Sequence, residues 1–392
     1  NDEIQERLSI KSGHLIHHDF RPSHSPSNDT KPKNTLRFVQ WNIERGYQLA
    51  KIVETLERLD ADIICLQELD IHCERSGWKD VGVEIAKKLK MNYYFVCEFE
   101  ELHSPIREKH VQGGGYHGNA ILSKYEIVNA RAIKHKYQPF HWGNQGHTKK
   151  EPRIGERYSL AAVIKSPLGQ VLCYSVHLEV FCGILGRVSQ FSEILEDSRN
   201  HLNACPHQVI MGDLNTLAHS VARLSPRVCN DQMRWRSLGK TEAVWWQDNV
   251  FDFSDTDGPI NTNLQSLGLP EEVLRFARNP GFVDPFDLHQ DFTLAHPHLF
   301  GVFKGKLDWL LLRGFHVTHK ELGNHDFSAS DHKYLVTDVS FVQISSDRDL
   351  AREHHQHHRK TRKRNLNTVV ADIFVILLLC YIYLLIQLVL NQ

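Results

Sequence analysis

Seven polar side chains stand at the edges of apolar runs, and their types suit the hydrolysis of a phosphate ester. Residues 36–41 alternate as a strand and deliver Asn42; residues 62–67 form a short apolar run, read as a strand buried on both faces, that ends in Glu68. Residues 171–176 end in His177, and 209–212 lead to Asp213 and Asn215. Two residues apart in extended chain, that carboxylate and carboxamide point to the same side. Asp308 opens the strand at 307–312, and His332 precedes the one at 334–342. A carboxylate at the end of a buried strand is costly without a partner, and a divalent cation is the simplest partner for Glu68. An oxygen ligand of this kind suits Mg²⁺, with Mn²⁺ the alternative. The ion would offset charge on the phosphoryl and leaving oxygens. Asp213 is suited to orienting or deprotonating the attacking water, and Asn42 and Asn215 to holding phosphate oxygens or metal-bound water without adding charge. Asp308 is the candidate carboxylate to fix the tautomer of His332, and His177 would neutralise the phosphate or protonate the leaving group. Each residue alone has an ordinary structural explanation; the set in register does not.

The elements that must carry these groups alternate strand and helix. Leu49, Ile52, Val53, Leu56 and Leu59 fall at helical spacing, predicting a helix over 48–59, with others over 80–89 and 187–202. Further strands are expected at 93–96 and 119–123, and residues 157–164 and 171–176 read as a hairpin closed by 166–170. Residues 98–117 read as irregular; their three successive glycines lack a P-loop lysine and a following helix, so a flexible loop is expected. A polar loop is expected at 134–151. The aromatic-rich insert at 225–298, with Trp235, Trp245, Trp246, Phe251, Phe253 and Phe276, reads as a local core for short helices, a lid being the alternative. Asn42, Glu68, His177, Asp213 and Asn215 lie at strand ends, whereas Asp308 and His332 lie at strand starts. If the last two strands run antiparallel to the others, all seven residues reach one rim, where open α/β sites form.

The chain has 392 residues, 41% hydrophobic and 24% charged, with a formal charge of −1. From Asp349 to Arg364 six basic residues face two acidic ones, so the remainder is acidic and lacks the basic excess of a duplex-binding surface. Residues 368–390 are apolar apart from Asp372 and Gln387, and about 18–20 such residues span a bilayer as helix. With the basic cluster Arg359–Arg364 just before them, the expectation is a single-pass C-terminal anchor with the catalytic domain facing the cytosol and the basic segment touching anionic lipid. Residues 1–33 are polar and read as disordered, without a signal peptide. The chain opens on Asn1, and a signal upstream of it would reverse the topology. Eight cysteines without paired spacing fit a reducing compartment. The histidine tract at 354–358 reads as a solvated spacer, transition-metal binding being the alternative.

In order along the chain, Trp41-Asn42-Ile43, Leu66-Gln67-Glu68, Ser175-Val176-His177-Leu178, Gly212-Asp213-Leu214-Asn215, Leu307-Asp308-Trp309 and Ser330-Asp331-His332 resemble the motifs of the endonuclease/exonuclease/phosphatase superfamily. The resemblance spans about residues 35–344. It implies a four-layer α/β sandwich of two packed mixed β-sheets flanked by helices, Mg²⁺ dependence and a site at one edge. It also implies that Glu68 and Asn42 serve the metal, that Asp331 assists the metal or His332, that Asp213 holds the water, that Asn42 and Asn215 hold the phosphate, and that Asp308 supports His332. Arg157 resembles an arginine that some relatives place near the phosphate. His177 is similar to the deoxyribonuclease I, sphingomyelinase and deadenylase branches rather than the abasic-site endonucleases. Residues 305–310 lack the arginine of the inositol polyphosphate 5-phosphatase segment.

The domain plan is therefore a polar segment over 1–33, a catalytic domain over 34–345, a His/Arg/Lys-rich linker over 346–367 and a transmembrane helix over 368–390. The expected function is a monomeric, membrane-tethered, Mg²⁺-dependent phosphodiesterase acting on a lipid headgroup. A membrane-anchored nuclease for DNA or RNA and a catalytically silent scaffold are the alternatives.

Overall fold

Alternation of apolar residues along the strands sorts the molecule into layers. The computed structural model describes residues 10–22, 34–217, 222–226, 229–295 and 304–343. In β2 (Leu36–Asn42), Leu36 and Phe38 face a core between two sheets, whereas Val39 and Trp41 face a second core under the helices. The first sheet is ordered β1 (Leu15–Asp19), β4 (Asn92–Glu101), β5 (Gly115–Ser123), β3 (Ile63–Ile71), β2, β15 (Tyr334–Phe341) and β14 (Phe315–Gly323), with β7 (Arg153–Gly155) also paired to β4. The second is ordered β13 (Asp308–Arg313), β10 (Gln208–Asp213), β9 (Gly169–His177), β8 (Tyr158–Ser166) and β6 (Glu126–Lys134). A short pair, β11 (Leu294–Ala295) and β12 (Lys304–Gly305), forms a third sheet, with Leu294 bridged to His332.

Helices close the outer faces. In α1 (Leu49–Leu59) the buried residues Leu49, Ile52, Leu56 and Leu59 form one stripe against the first sheet. Beside it, α2 (Val81–Leu89) is capped by the Asp80 carboxylate, which accepts the Val83 N–H at 2.9 Å. A single turn, α3 (Trp142–Gln145), lies in the loop before β7. The long α4 (Ile184–Asn200) covers the second sheet together with the insert, whose Trp246 and Phe251 meet Phe191 edge-on at 5.3 and 5.7 Å. Arg187 on α4 and Glu242 in the insert, both fully buried, hold each other through two bonds of 2.7 Å. The described part of the insert is thus a layer of core, built from the short helices that its aromatic spacing predicts.

Several boundaries differ from those read in the sequence. Residues 10–22, within the segment read as disordered, are ordered: β1 pairs with β4, and Ile10, Ile16 and Phe20 pack against the helical-side core. β3 does not stop at Glu68; a bulge between Leu66 and Leu69 carries it on to Ile71. The region read as irregular from 98 to 117 gives its ends to β4 and β5, because buried Glu98, Glu101 and His117 are paired rather than solvated. β6 and β14 carry no clean apolar alternation, because many of their residues are exposed and polar. The expected linker at 346–367 and anchor at 368–390 lie outside the described residues, among which no helix is long and apolar enough to cross a membrane. The seven cysteines described are buried free thiols.

Candidate active site

Strand direction brings the polar groups to one edge. β2 runs parallel to β3, and β9 parallel to β10, whereas β15 is antiparallel to β2 and β13 to β10. The C-terminal ends of the first four therefore meet the N-terminal starts of the last two. Asp213 pairs in register with His177 on one side and with Asp308 on the other. The approach of β9 and β10 depends on Gly212, where a β-carbon would lie 2.1 Å from the Val176 carbonyl oxygen.

Between the sheets the side chains change character layer by layer toward this rim. Cys65 and Cys173 touch across the apolar core at 3.4 Å. One layer up, Gln67 donates to the Ser175 hydroxyl at 3.0 Å, and Gln40 donates both to Gln67 at 2.7 Å and to Asp308 Oδ1 at 3.0 Å. Next comes the rim. Asn42 donates to Glu68 Oε1 at 3.2 Å and to Asp213 Oδ2 at 3.1 Å. Asp308 Oδ2 lies 2.7 Å from His332 Nδ1, while Nε2 of His332 and Nε2 of His177 lie 3.8 and 3.6 Å from Asp213 Oδ2. The backbone of His332 is fixed as well: its carbonyl accepts from Trp41 Nε1 at 3.0 Å and its N–H donates to the Ser330 hydroxyl at 3.1 Å.

Glu68 occupies the bulge with φ of +57°, a left-handed conformation that is uncommon outside glycine. Burial opposes ionisation of Glu68, but Arg45, 3.8 Å away, together with the charged His332 outweighs it and holds the carboxyl well below its usual range. Asp213 is raised instead, by burial and then by Asp308. The two histidines diverge. Burial and the nearby Arg157 push His177 well below the ordinary imidazole range, so it is neutral. Burial also opposes charge on His332, but Asp308 and Asp331 overcome it and hold this imidazole well above that range.

The remaining predicted residues are placed differently. Asn215, at φ +51°, donates its amide to the Leu178 carbonyl at 2.8 Å and its N–H to Asp213 Oδ1 at 2.8 Å, so its bonds brace the Asp213 turn. Asp331 has a side chain 54% exposed at the mouth, 4.0 Å from His332 Nε2. Arg157 is buried in ion pairs with Glu98 at 3.0 Å and Glu179 at 3.5 Å, where it bears on His177 electrostatically. Gln40, Gln67 and Arg45 complete the cluster and were not read from the sequence. The two glutamines carried a signal, being polar residues inside strands that are otherwise apolar; Arg45 carried none.

The donor set fits a hard divalent cation. Glu44 is pushed up to about 7 by burial and by Asp331, and Asp331 and Asp213 are raised too, so carboxylates crowd the mouth at a cost that a cation would relieve. Among the described residues, Asp213, Asp308 and His332 form a group whose ligand atoms all lie within 4.8 Å of one another. Asp308 and His332 already satisfy each other, which leaves Glu68 and Asp213 as the carboxylates open to an ion, with the Asn42 amide between them.

Two face-packed mixed sheets between helical layers, with carboxylates, carboxamides and a His–Asp pair on one rim, define a hydrolase of phosphate esters. The sequence matches the Endonuclease/Exonuclease/phosphatase family over residues 39–332, and the chain belongs to that family, acting on phosphodiester or phosphate-ester bonds. Solved structures similar to it include an endonuclease/exonuclease/phosphatase from Beutenbergia cavernae DSM 12333, at 19% identity and a TM-score of 0.46, covering 79% of this chain and 72% of that one. A humanized D. rerio TDP2 shares 14% identity at a TM-score of 0.46, covering 79% and 100%. The human Nocturnin catalytic domain, solved with a bound sulfate anion, shares 15% at 0.45, covering 84% and 97%. No curated protein matches the sequence.

Proposed function

We propose that this chain is a Mg²⁺-dependent phosphodiesterase that works at a membrane surface on a lipid headgroup ester. The observation that carries the chemistry is the convergence of Glu68, Asp213 and the Asp308–His332 pair on one rim. The lipid assignment draws on the sequence: an acidic domain, six basic residues between Asp349 and Arg364, and the apolar run at 368–390. Glu68 and Asp213, with the Asn42 amide between them, would hold the cation, which supplies charge stabilisation to the phosphoryl and leaving oxygens. Asp213 orients the attacking water and accepts its proton. His332, charged and oriented by Asp308, stabilises the negative oxygens of the transition state. His177, held neutral, offers a phosphoryl oxygen a hydrogen bond from Nε2 rather than a positive charge.

The full chain should hydrolyse bis(p-nitrophenyl) phosphate with Mg²⁺ and stop when the ion is chelated. Asp213→Ala or His332→Ala should each lower the rate by about two orders of magnitude or more, and unchanged rates in both would reject the site. Headgroup release from mixed liposomes, run beside cleavage of single-stranded DNA and RNA, decides the substrate: activity confined to the polynucleotides would reject the lipid assignment.

A further inference from the structure

Past the loop that follows His177, a trench of about 470 Å³ runs along α4. Tyr137, Leu185, Leu269, Val273 and Phe276 supply its apolar surface; all five are partly open to solvent, Tyr137 by 49%. The helix contributes Leu185, Ser189, Ser192 and Glu196 at three- and four-residue spacings. At about 1.5 Å per residue the trench therefore follows roughly 16 Å of helix. Gly186 lets the Tyr137 ring lie against α4, since a β-carbon there would come within 3.2 Å of it.

The near end of the trench is joined to the backbone that follows His177. Glu179, two residues beyond His177, donates its N–H to Gln190 Oε1 at 3.0 Å, and Gln190 Nε2 donates to the Tyr137 carbonyl at 3.2 Å. Two hydrogen bonds thus join the strand that delivers His177 to the residue that opens the trench. The polar lining has one dominant sign: Glu193, Glu196, Asp231 and Glu272 face Lys136 alone. A polyanionic strand extended along it would run its phosphates over carboxylates; an uncharged chain meets no such repulsion. The length also fits, because one leaflet of a bilayer, and so one acyl chain, spans about 15 Å.

We infer that this trench holds the hydrocarbon chain of the substrate, which is then a phosphodiester carrying a single long alkyl group. The inference rests on the phosphodiesterase reading of the rim and names the group attached to the scissile phosphate. It is tested with the full chain and a series of methyl, butyl, octyl and dodecyl p-nitrophenyl phosphates, each below the concentration at which it forms micelles. With Mg²⁺ present, kcat/KM should rise about a hundredfold or more from methyl to dodecyl as methylenes leave water. Leu269→Glu and Val273→Glu, at partly exposed walls, should flatten the rise and leave methyl ester turnover unchanged. A flat series in the wild type, or the same slope in both variants, overturns the inference. Failure to turn over any ester, the methyl one included, faults the phosphodiesterase reading instead. In that event calorimetry with monomeric dodecylphosphocholine still decides the trench: weaker binding in Val273→Glu supports it, and equal binding overturns it.

Discussion

Two histidines share the mouth of the site and differ in charge: burial and Arg157 hold His177 neutral, whereas at His332 burial is overcome by Asp308 and Asp331. His332 shares a short hydrogen bond with Asp308, whereas His177 has the Arg157 guanidinium close behind it. Both Asp308 oxygens are engaged, Oδ2 by His332 and Oδ1 by Gln40, so the carboxylate cannot rotate away. Gln40→Met should therefore cost about 1.5–3 kcal/mol of transition-state stabilisation, the worth of a hydrogen bond to a charged group. That is tenfold to about a hundredfold in kcat with bis(p-nitrophenyl) phosphate, at an unchanged KM. The charges are testable by NMR in Mg²⁺-free protein. His332 should stay protonated well above pH 6.5 and His177 should stay neutral well below it. The sign follows for stability. The His332–Asp308 pair contributes fully below the unfolded imidazole pKa and loses its contribution as pH rises through the elevated folded value. Asp308→Asn should bring the His332 titration down, and a His332 that titrates unchanged in that variant would remove the asymmetry.

At the scale of the element, the bend in β3 sets Glu68 at the rim while the same strand carries Asp70 into a second group of charges. Arg75 bonds both Asp70 oxygens at 2.8 Å and lies 3.3 Å from Glu101, and His117 Nδ1 shares Asp70 Oδ1 at 2.8 Å. All four side chains are buried. Burial raises both carboxyls, but Arg75 with His117 at Asp70, and Arg75 with Arg153, His117 and Arg107 at Glu101, together outweigh it and hold each below its ordinary value of 3.8 or 4.5. Their contribution to stability is present above those unfolded values and is lost as pH falls through the lower folded ones. Arg75→Met, which leaves Asp70 with His117 alone and removes one of the three guanidinium groups around Glu101, should cost about 3–5 kcal/mol in urea unfolding at pH 7. The gap between variant and wild type should narrow below about pH 4, as the stranded carboxyls protonate; a gap that widens there would refute this account. These particulars also mark what the sequence could disclose. β2 and β9, which are buried on both faces, were legible as apolar stretches, one alternating and one in a hairpin, and their terminal Asn42 and His177 with them. Glu68 was legible as a site residue but not as a bulge, because a period-two pattern carries no sign of one extra residue until the partner strand is known. Arg45 and the Asp70 network were not legible, because charged residues in loops and at strand ends are ordinary on a surface. Only the chain's return, through β5, β7 and the loop before it, buries them. Arg157 shows the same limit in reverse: its residue type matched a phosphate contact, and the folded neighbourhood gave it to Glu98 and Glu179.

For the whole molecule, charge and hydrophobicity are distributed unequally along the chain, and the inequality makes a prediction about location. The domain is acidic overall, the trench beside α4 is rimmed by carboxylates, and six basic residues gather between Asp349 and Arg364 just ahead of the apolar run. On the proposed tethering, two attractions to a bilayer act in series and respond differently to salt. The apolar run, if it spans as helix, holds the chain whatever the ionic strength. The basic segment adds about 1 kcal/mol for each Lys or Arg near an anionic surface, an attraction that fades within a Debye length of about 8 Å at physiological salt and about 3 Å at 1 M. The full chain should therefore float with phosphatidylcholine vesicles and with vesicles containing phosphatidylserine, at low and high salt alike. A chain ending at residue 367 should bind only the anionic vesicles, and salt should release it. Replacing Arg359, Lys360, Arg362, Lys363 and Arg364 with Gln in that shortened chain should abolish the remaining binding while bis(p-nitrophenyl) phosphate turnover persists, since the rim lies on strands that the change does not touch. Release of the full chain from neutral vesicles by salt would show that charge alone was holding it, and the tether would then have to be given up while the phosphodiesterase site stood.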